Sequence, residues 1–291
     1  MAIRWGIVSE SDPDERRAAN RDSWEEAAEG WGTAADKIRQ WAGVVSAAMI
    51  DALDLQPGER VLELAAGPGD TGFMAAELIA PGGTLICSDV AEAMLDVARG
   101  RAAAQGIGNV EFRQLDLEFI DLPTADVDAV LCRWGLMFAV DPGAAASEIR
   151  RVLKPGGRAA LAVWDLPQRN PWTTLPRQAM AGLGRLEAPE AGAPGMFSLA
   201  ADGVLRELLE GAGLVDVQIV PVQIARHFPS VEAFLDATLE ISTALRDVFD
   251  ELDARGREGV RVRLAGELIP YTGDDGQLTV PGTTLVAAAS A

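Results

Sequence analysis

The chain is poor in the side chains that build metal centres, disulfides and nucleophile–base pairs. Its 291 residues include one histidine, two cysteines and one tyrosine, and Lys37 and Lys154 are its only lysines. Cys87 and Cys132 lie far apart, each inside a strand-like apolar run. They read as reduced core residues, which excludes a disulfide framework or a zinc site and fits a reducing compartment. Positive charge is also scarce, with 25 Lys and Arg against 44 Asp and Glu and a net charge of -19. Such a field repels phosphate backbones and anionic lipid, so no nucleic acid and no membrane surface is expected as a partner. No apolar run approaches the ~20 residues that span a bilayer, and the N-terminus has no stretch of signal-peptide character. The expectation is a cytoplasmic protein that holds no metal; its oligomeric state is left open.

What is present is an ordinary globular mix, 48% apolar and 24% charged. Residues 1–20 are charged and without period, and read as a loose tail or an arm over the body. Trp24, Trp31, Ile38, Trp41, Val45, Met49 and Leu53 recur at helical spacings, implying one or two amphipathic helices. From Arg60 short apolar runs alternate with helical stretches, as in βαβ units on a parallel sheet. Strands are expected at 60–65, 83–88, 109–114, 127–132 and 157–164, and helices at 70–79, 91–104 and 143–153. After Trp164 the alternation breaks over 165–198, which includes the EAGAPG stretch, and resumes with a helix at 200–211 and a strand at 214–225. A segment from Pro229 to about Leu268 reads as two helices, and LTVPGTTLVAAA as a closing strand. The expected organisation is one domain, with a core of about 57–165, 199–227 and 276–290 and cap segments of about 15–55, 166–198 and 228–268.

The first strand runs into VLELAAGPGDTG. Gly67 and Gly69 sit where strand turns to helix, so bare backbone and a helix N-terminus face a ligand. Gly67-Pro68-Gly69-Asp70-Thr71-Gly72 satisfies G-x-G-x-x-G, with Asp89 twenty residues beyond Gly69. This loop alone does not choose between NAD and S-adenosylmethionine.

The run from Val61 resembles motif I of class I S-adenosylmethionine-dependent methyltransferases, and LKPGG before strand five resembles the ubiquinone and menaquinone biosynthesis type. The resemblance covers about 57–165. It implies an α/β fold, a Rossmann-like seven-stranded, mostly parallel sheet with its last strand antiparallel. It implies S-adenosylmethionine as cofactor, with Glu63 helping to hold the methionine ammonium group. Ala65 stands where the family commonly has its first glycine. Asp89 resembles the acid that takes both ribose hydroxyls, and Val90 and Met94 the apolar walls beside adenine. Asp116 resembles the acceptor of the adenine amino group, with Leu117 supplying neighbouring backbone; solvation is the competing reading for Asp116, Glu118 and Asp121. Carbonyls near Cys132 and Arg133 would face the methionine part.

The acceptor is expected to be a small, largely apolar or aromatic metabolite of the kind found in secondary metabolism. Trp31, Trp134, Met137 and Trp172 are the candidate substrate contacts, with Phe138 beside them, and core packing is the competing reading for Trp134, Met137 and Phe138. Trp24, Trp41 and Phe234 fall in the same cap segments. Methyl transfer needs alignment more than a catalytic side chain. If the acceptor must lose a proton, His227 is the one side chain with an unperturbed pKa near neutrality; a lone histidine also serves structural ends. An NAD(P)-dependent short-chain reductase needs a tyrosine and lysine four residues apart, which this chain lacks. A protein with the same fold that binds the cofactor but acts as a cyclase or binding module remains the alternative.

Overall fold

The computed structural model describes residues 12–181 and 194–291. The chain opens with a single 41-residue helix, α1 (Pro13–Leu53), about 60 Å long at 1.5 Å per residue. Its start reflects capping rather than apolar period: the Asp12 side chain accepts from the Asp14 amide, Pro13 follows it, and Asp14 and Glu15 lie in the first turn. These groups answer the free N–H groups and the helix dipole. The expected tail is therefore helical from Pro13 on, and residues 1–11 lie outside the described residues. Arg17 fastens this first part, donating to Oε2 of Glu118 at 2.8 and 2.9 Å.

The strands are β1 (Arg60–Leu64), β2 (Thr84–Asp89), β3 (Val110–Gln114), β4 (Val127–Arg133), β5 (Leu153–Trp164), β6 (Val215–Phe228) and β7 (Leu278–Ser290). They form one sheet in the order β3-β2-β1-β4-β5-β7-β6. All neighbours are parallel except the two pairs that β7 makes. Between them run α2 (Asp70–Leu78), α3 (Glu92–Gln105), α4 (Pro142–Val152), α5 (Pro171–Ala181) and α6 (Val204–Gly211). The chain steps outward from β1 to β3 in one direction and from β4 to β5 in the other. Right-handed crossovers then place α2 and α3 on one face and α4 on the other. The reversal lies between β1 and β4, where ligands bind open α/β sheets at the carboxyl ends of the strands.

Three expectations about elements are corrected. The LKPGG segment is an excursion inside β5 rather than a turn before it: Val127 pairs with Leu153 and pairing resumes at Ala129 with Arg158. Gly156 takes φ 77° there and donates to the carbonyl of Ala291. The segment after β6 holds three helices, α7 (Val231–Ile241), α8 (Thr243–Asp250) and α9 (Ala254–Glu267). Ser242 is extended at φ -121° and caps the amide of Leu245, which separates α7 from α8. Strand six also runs on to Phe228, because β7 keeps pairing it as far as Leu278. The EAGAPG stretch lies mostly outside the described residues.

Candidate active site

The loop after β1 is shaped by backbone in the left-handed region, with φ of 50° at Ala65, 52° at Gly67 and 87° at Gly69. Ala65 adopts the conformation a glycine would take freely, at a cost of order 1 kcal/mol. Its methyl is accommodated because a Cβ at Gly135 would stand 2.4 Å from it, so Gly135 supplies the missing space. A Cβ on Gly69 would strike the Phe73 ring at 2.5 Å, whereas one on Gly67 would meet nothing within 4 Å. The loop is thus packed beneath and open above Gly67.

Two buried carboxylates organise this loop. Asp89, 6% exposed, ends β2; its Oδ2 accepts from the Gly67 amide at 2.8 Å and its Oδ1 from the Ala91 amide at 3.0 Å. Burial pushes its pKa up to about 6, against the opposing pull of the Ala91, Gly67 and Val90 amides. Each oxygen keeps acceptor capacity beyond its one amide. Glu63, 2% exposed, lies under the loop and not on its open side. Its Oε1 accepts from the Gly72 amide at 2.8 Å, and a Cβ on Gly72 would fall 2.1 Å from its Oε2, which has no hydrogen-bond partner. Burial pushes its pKa up to about 8, with Arg133 opposing. Through Oε1 the side chain holds the first turn of α2.

On the far side of Asp89 lie Val90 and Met94, the residues expected to wall a nucleoside. Val90 is half-buried, and buried Met94 and Ala91 pack with Ala27 and Ala28 of α1 and with Trp24 and Trp31. The Glu25 carboxylate crosses from α1 to accept from the amides of Glu92 and Ala93 at 2.7 and 2.9 Å. Asp116 is half-buried, and its Oδ1 accepts from the Glu118 amide at 2.8 Å; Leu117 packs beside it on the core. Trp31, expected on the acceptor side, is thus placed with Met94. A surface groove of about 530 Å³ lined by Glu118, Phe119, Asp121 and Glu148 contains none of the expected site residues.

Beyond the switch point stands a second cluster. Trp134 follows β4 at φ 62° and stacks on Trp164, the end of β5, with centroids 4.4 Å apart. Trp41 of α1 covers Trp134 at 5.5 Å, and Trp172 of α5 meets Trp164 at 4.9 Å. The polar edges are satisfied: Trp134 Nε1 donates to Thr284 Oγ1 at 2.9 Å, and Trp172 Nε1 to Asn170 Oδ1 at 3.2 Å. Met137 is buried nearby, its carbonyl accepting from Ser198 Oγ at 2.7 Å. Cys132 is sealed below, its thiol pushed up to about 12 by burial. The sequence expectation named Trp134 and Trp172 but not Trp164, which carries no motif and joins them through the register of β5 with β4 and β7.

His227 is not brought to this cluster. Side chains alternate across β6, so Ile224, Arg226 and Phe228 turn inward and His227 turns outward. His227 is exposed, with Nδ1 3.0 Å from Thr279 Oγ1. The cap residue Phe234 instead packs edge-on against Phe228 at 5.2 Å. Sequence reasoning missed the side chain of Arg133, which is buried between both clusters. Its Nη1 donates to Ser46 Oγ at 2.8 Å, its Nη2 lies 3.9 Å from Asp70 Oδ2, and its guanidinium rests 4.9 Å from the Trp134 ring centroid. Asp70 is also gripped by Arg101 at 2.5 Å. The last residue of an apolar strand, next to a tryptophan, gave no sign of this.

The sheet order, the glycine loop and the carboxylate ending β2 define the class I methyltransferase architecture. Residues 61–157 match the methyltransferase domain family. A ubiquinone/menaquinone biosynthesis C-methyltransferase, UbiE of Teredinibacter turnerae, is 34% identical over 122 residues, 42% of this chain and 49% of that protein. Nocamycin O-methyltransferase of Saccharothrix syringae is 29% identical over 237 residues, 78% of this chain and 84% of that one. The chain therefore spans about half the length of the UbiE relative and most of the nocamycin enzyme. The solved 4+2 cyclase SpnF shares the fold with a TM-score of 0.52 at 19% identity, over 84% of this chain and 79% of that one. Residues 61–157 are thus similar to methyltransferase domains, and the fold around them is that of class I S-adenosylmethionine-dependent methyltransferases.

The residues present fit that cofactor: the loop leaves open space over Gly67, and Asp89 offers two oxygens beside it. The reductase reading has no support, since Lys37 pairs with Glu240 and Lys154 with Asp128, while Tyr271 lies in a short turn after α9. Among the described residues no helix is long and apolar enough to cross a membrane.

Proposed function

We propose that this protein methylates a small, largely aromatic molecule held in the tryptophan cluster, and that the domain is a single methyltransferase unit capped by α1, α5 and the helices after β6. The observation that carries the reading is adjacency: the cluster begins at Trp134, one residue beyond the strand that flanks the glycine loop at the switch point. When bound, the cofactor supplies a methyl group on a positively charged sulfur, which a nucleophile takes by in-line displacement.

This chain's residues do the rest. Asp89 receives the ribose hydroxyls, Val90 and Met94 wall the adenine, and Asp116 with Leu117 closes that pocket's far side. Gly67 and Gly69 let backbone approach, with Arg133 as the nearby cation for an anionic end. Trp41, Trp134, Trp164 and Trp172 present flat walls and keep water out, which strengthens alignment of the two reactants. No histidine stands ready to remove a proton, because His227 faces outward.

Incubation with methyl-labelled cofactor and a panel of phenols, hydroxyquinones and aromatic acids tests this. Label transferred to at least one acceptor is expected. Saturable binding of S-adenosylhomocysteine with no transfer across the panel would favour the cyclase or binding-module reading.

A further inference from the structure

Arg226 is an inward residue of β6, beside the outward His227, and is 4% exposed. Its guanidinium lies 4.9 Å from the ring centroid of Trp41, 4.7 Å from Trp172 and 5.1 Å from Phe228. Aromatic faces therefore cover it, and they satisfy its charge only in part. Among the described residues no carboxylate pairs with it, and its Nε and Nη1 have no hydrogen-bond acceptor. That is a notable lack in a chain with 44 acidic residues. The other arginines of the site each have oxygens, Arg133 from Ser46 and Asp70, and Arg101 from Asp70 and the Pro68 carbonyl. Burial draws the Arg226 pKa down to about 10, so it stays protonated at neutral pH.

A buried cation without an acceptor is strongly destabilising and is retained where something else meets it. Its place says what. Val222 of β6 is in register with Thr284, the residue that holds Trp134, and Arg226 lies four residues further toward the carboxyl edge, opposite Val280. It therefore borders the tryptophan cluster on the side away from the glycine loop. With three rings packed around it, what its Nε and Nη1 still lack is an acceptor, and a guanidinium binds a planar one in its own plane.

We propose that Arg226 docks an ionised oxygen group of the acceptor, so that the acceptor is a flat organic acid, carboxylate or enolate, and not a neutral aromatic. This rests on the methyltransferase reading of the same site. Arg226 is a positioning and specificity residue: an acceptor that arrives as an anion is oriented by the charge, and the tryptophans select the flat body behind it.

The test is calorimetry with saturating S-adenosylhomocysteine, using 1-naphthoate and its neutral counterpart 1-naphthamide as probes. The wild type is expected to bind the acid about tenfold or more tightly than the amide, as a charge-assisted contact requires. Arg226→Met and Arg226→Gln are expected to bind both alike, and Arg226→Lys to keep part of the preference. Equal binding by the wild type, no saturable naphthoate binding, or a preference that survives Arg226→Met overturns the proposal, even if the variants are less stable. Stabilisation by S-adenosylhomocysteine, followed by thermal melting, shows that each variant still forms the cofactor side. If the wild type shows the acid preference without any response to S-adenosylhomocysteine, the methyltransferase reading fails while the role of Arg226 stands.

Discussion

The two halves of the site are built on opposite plans. Left of the switch point, the glycine loop is made from backbone: φ above 45° at Ala65, Gly67 and Gly69, with buried Asp89 and Glu63 tying amides together. Right of it, the tryptophan cluster is made from side chains contributed by α1, the residue after β4, β5, α5 and β6, with Thr284 and Asn170 accepting hydrogen bonds from its edges. A backbone site recognises what every member of a family shares. A side-chain site is free to change with each acceptor, one residue at a time.

The largest expected effect comes from breaking the right side alone. Trp164→Ala removes the central ring and should cost about 3 to 5 kcal/mol in denaturant unfolding, as large aromatic truncations in cores do. Affinity for S-adenosylhomocysteine should stay within about threefold, because the ring partners of Trp164 are Trp41, Trp134 and Trp172, none of which belongs to the glycine loop. A parallel loss of cofactor affinity would mean the two halves are one unit. Asp89→Ala makes the converse cut: it should weaken S-adenosylhomocysteine by about 1 to 3 kcal/mol, the cost of lost buried hydrogen bonds, and leave naphthoate binding to the folded protein unchanged. Calorimetry of both ligands on both variants reads the full comparison.

These contrasts also explain what the sequence disclosed. The sheet, the glycine loop and Asp89 were legible because they are local: each depends on a short run with its own period or turn chemistry. Trp164 and Arg226 were not, because the pairing of β4 with β5, and of β7 with β5 and β6, brings them to Trp134 and Trp41. His227 was singled out for its chemistry, and a two-residue period placed its neighbour Arg226 inside instead. Glu63 was read from its position in a motif, yet Gly72 at the start of α2, nine residues on, determines where its carboxylate lies. The helical start at Pro13 was written in capping residues rather than in apolar spacing.

Smaller effects sharpen the left side. Glu63 has a folded pKa of about 8 against an ordinary value of 4.5. The folded state therefore binds the proton more tightly than the unfolded state. Its contribution is fully present below about pH 4.5 and is lost as pH rises through 8. Glu63→Gln should be increasingly stable relative to the wild type from pH 5 to pH 9, in melting curves without cofactor. A difference that is flat across that range would mean Glu63 is ionised in the folded protein. The smallest effect is expected at His227→Ala, within about 0.5 kcal/mol in stability, as for exposed positions, and with methyl transfer retained.

The central claim is that the loop of Gly67 and Gly69 with Asp89 holds an adenosyl sulfonium rather than a dinucleotide. Parallel calorimetric titrations of the wild type with S-adenosylhomocysteine and with NADH test it directly. Saturable one-to-one binding of S-adenosylhomocysteine and none of NADH is the expected result. Binding of NADH alone would contradict the account.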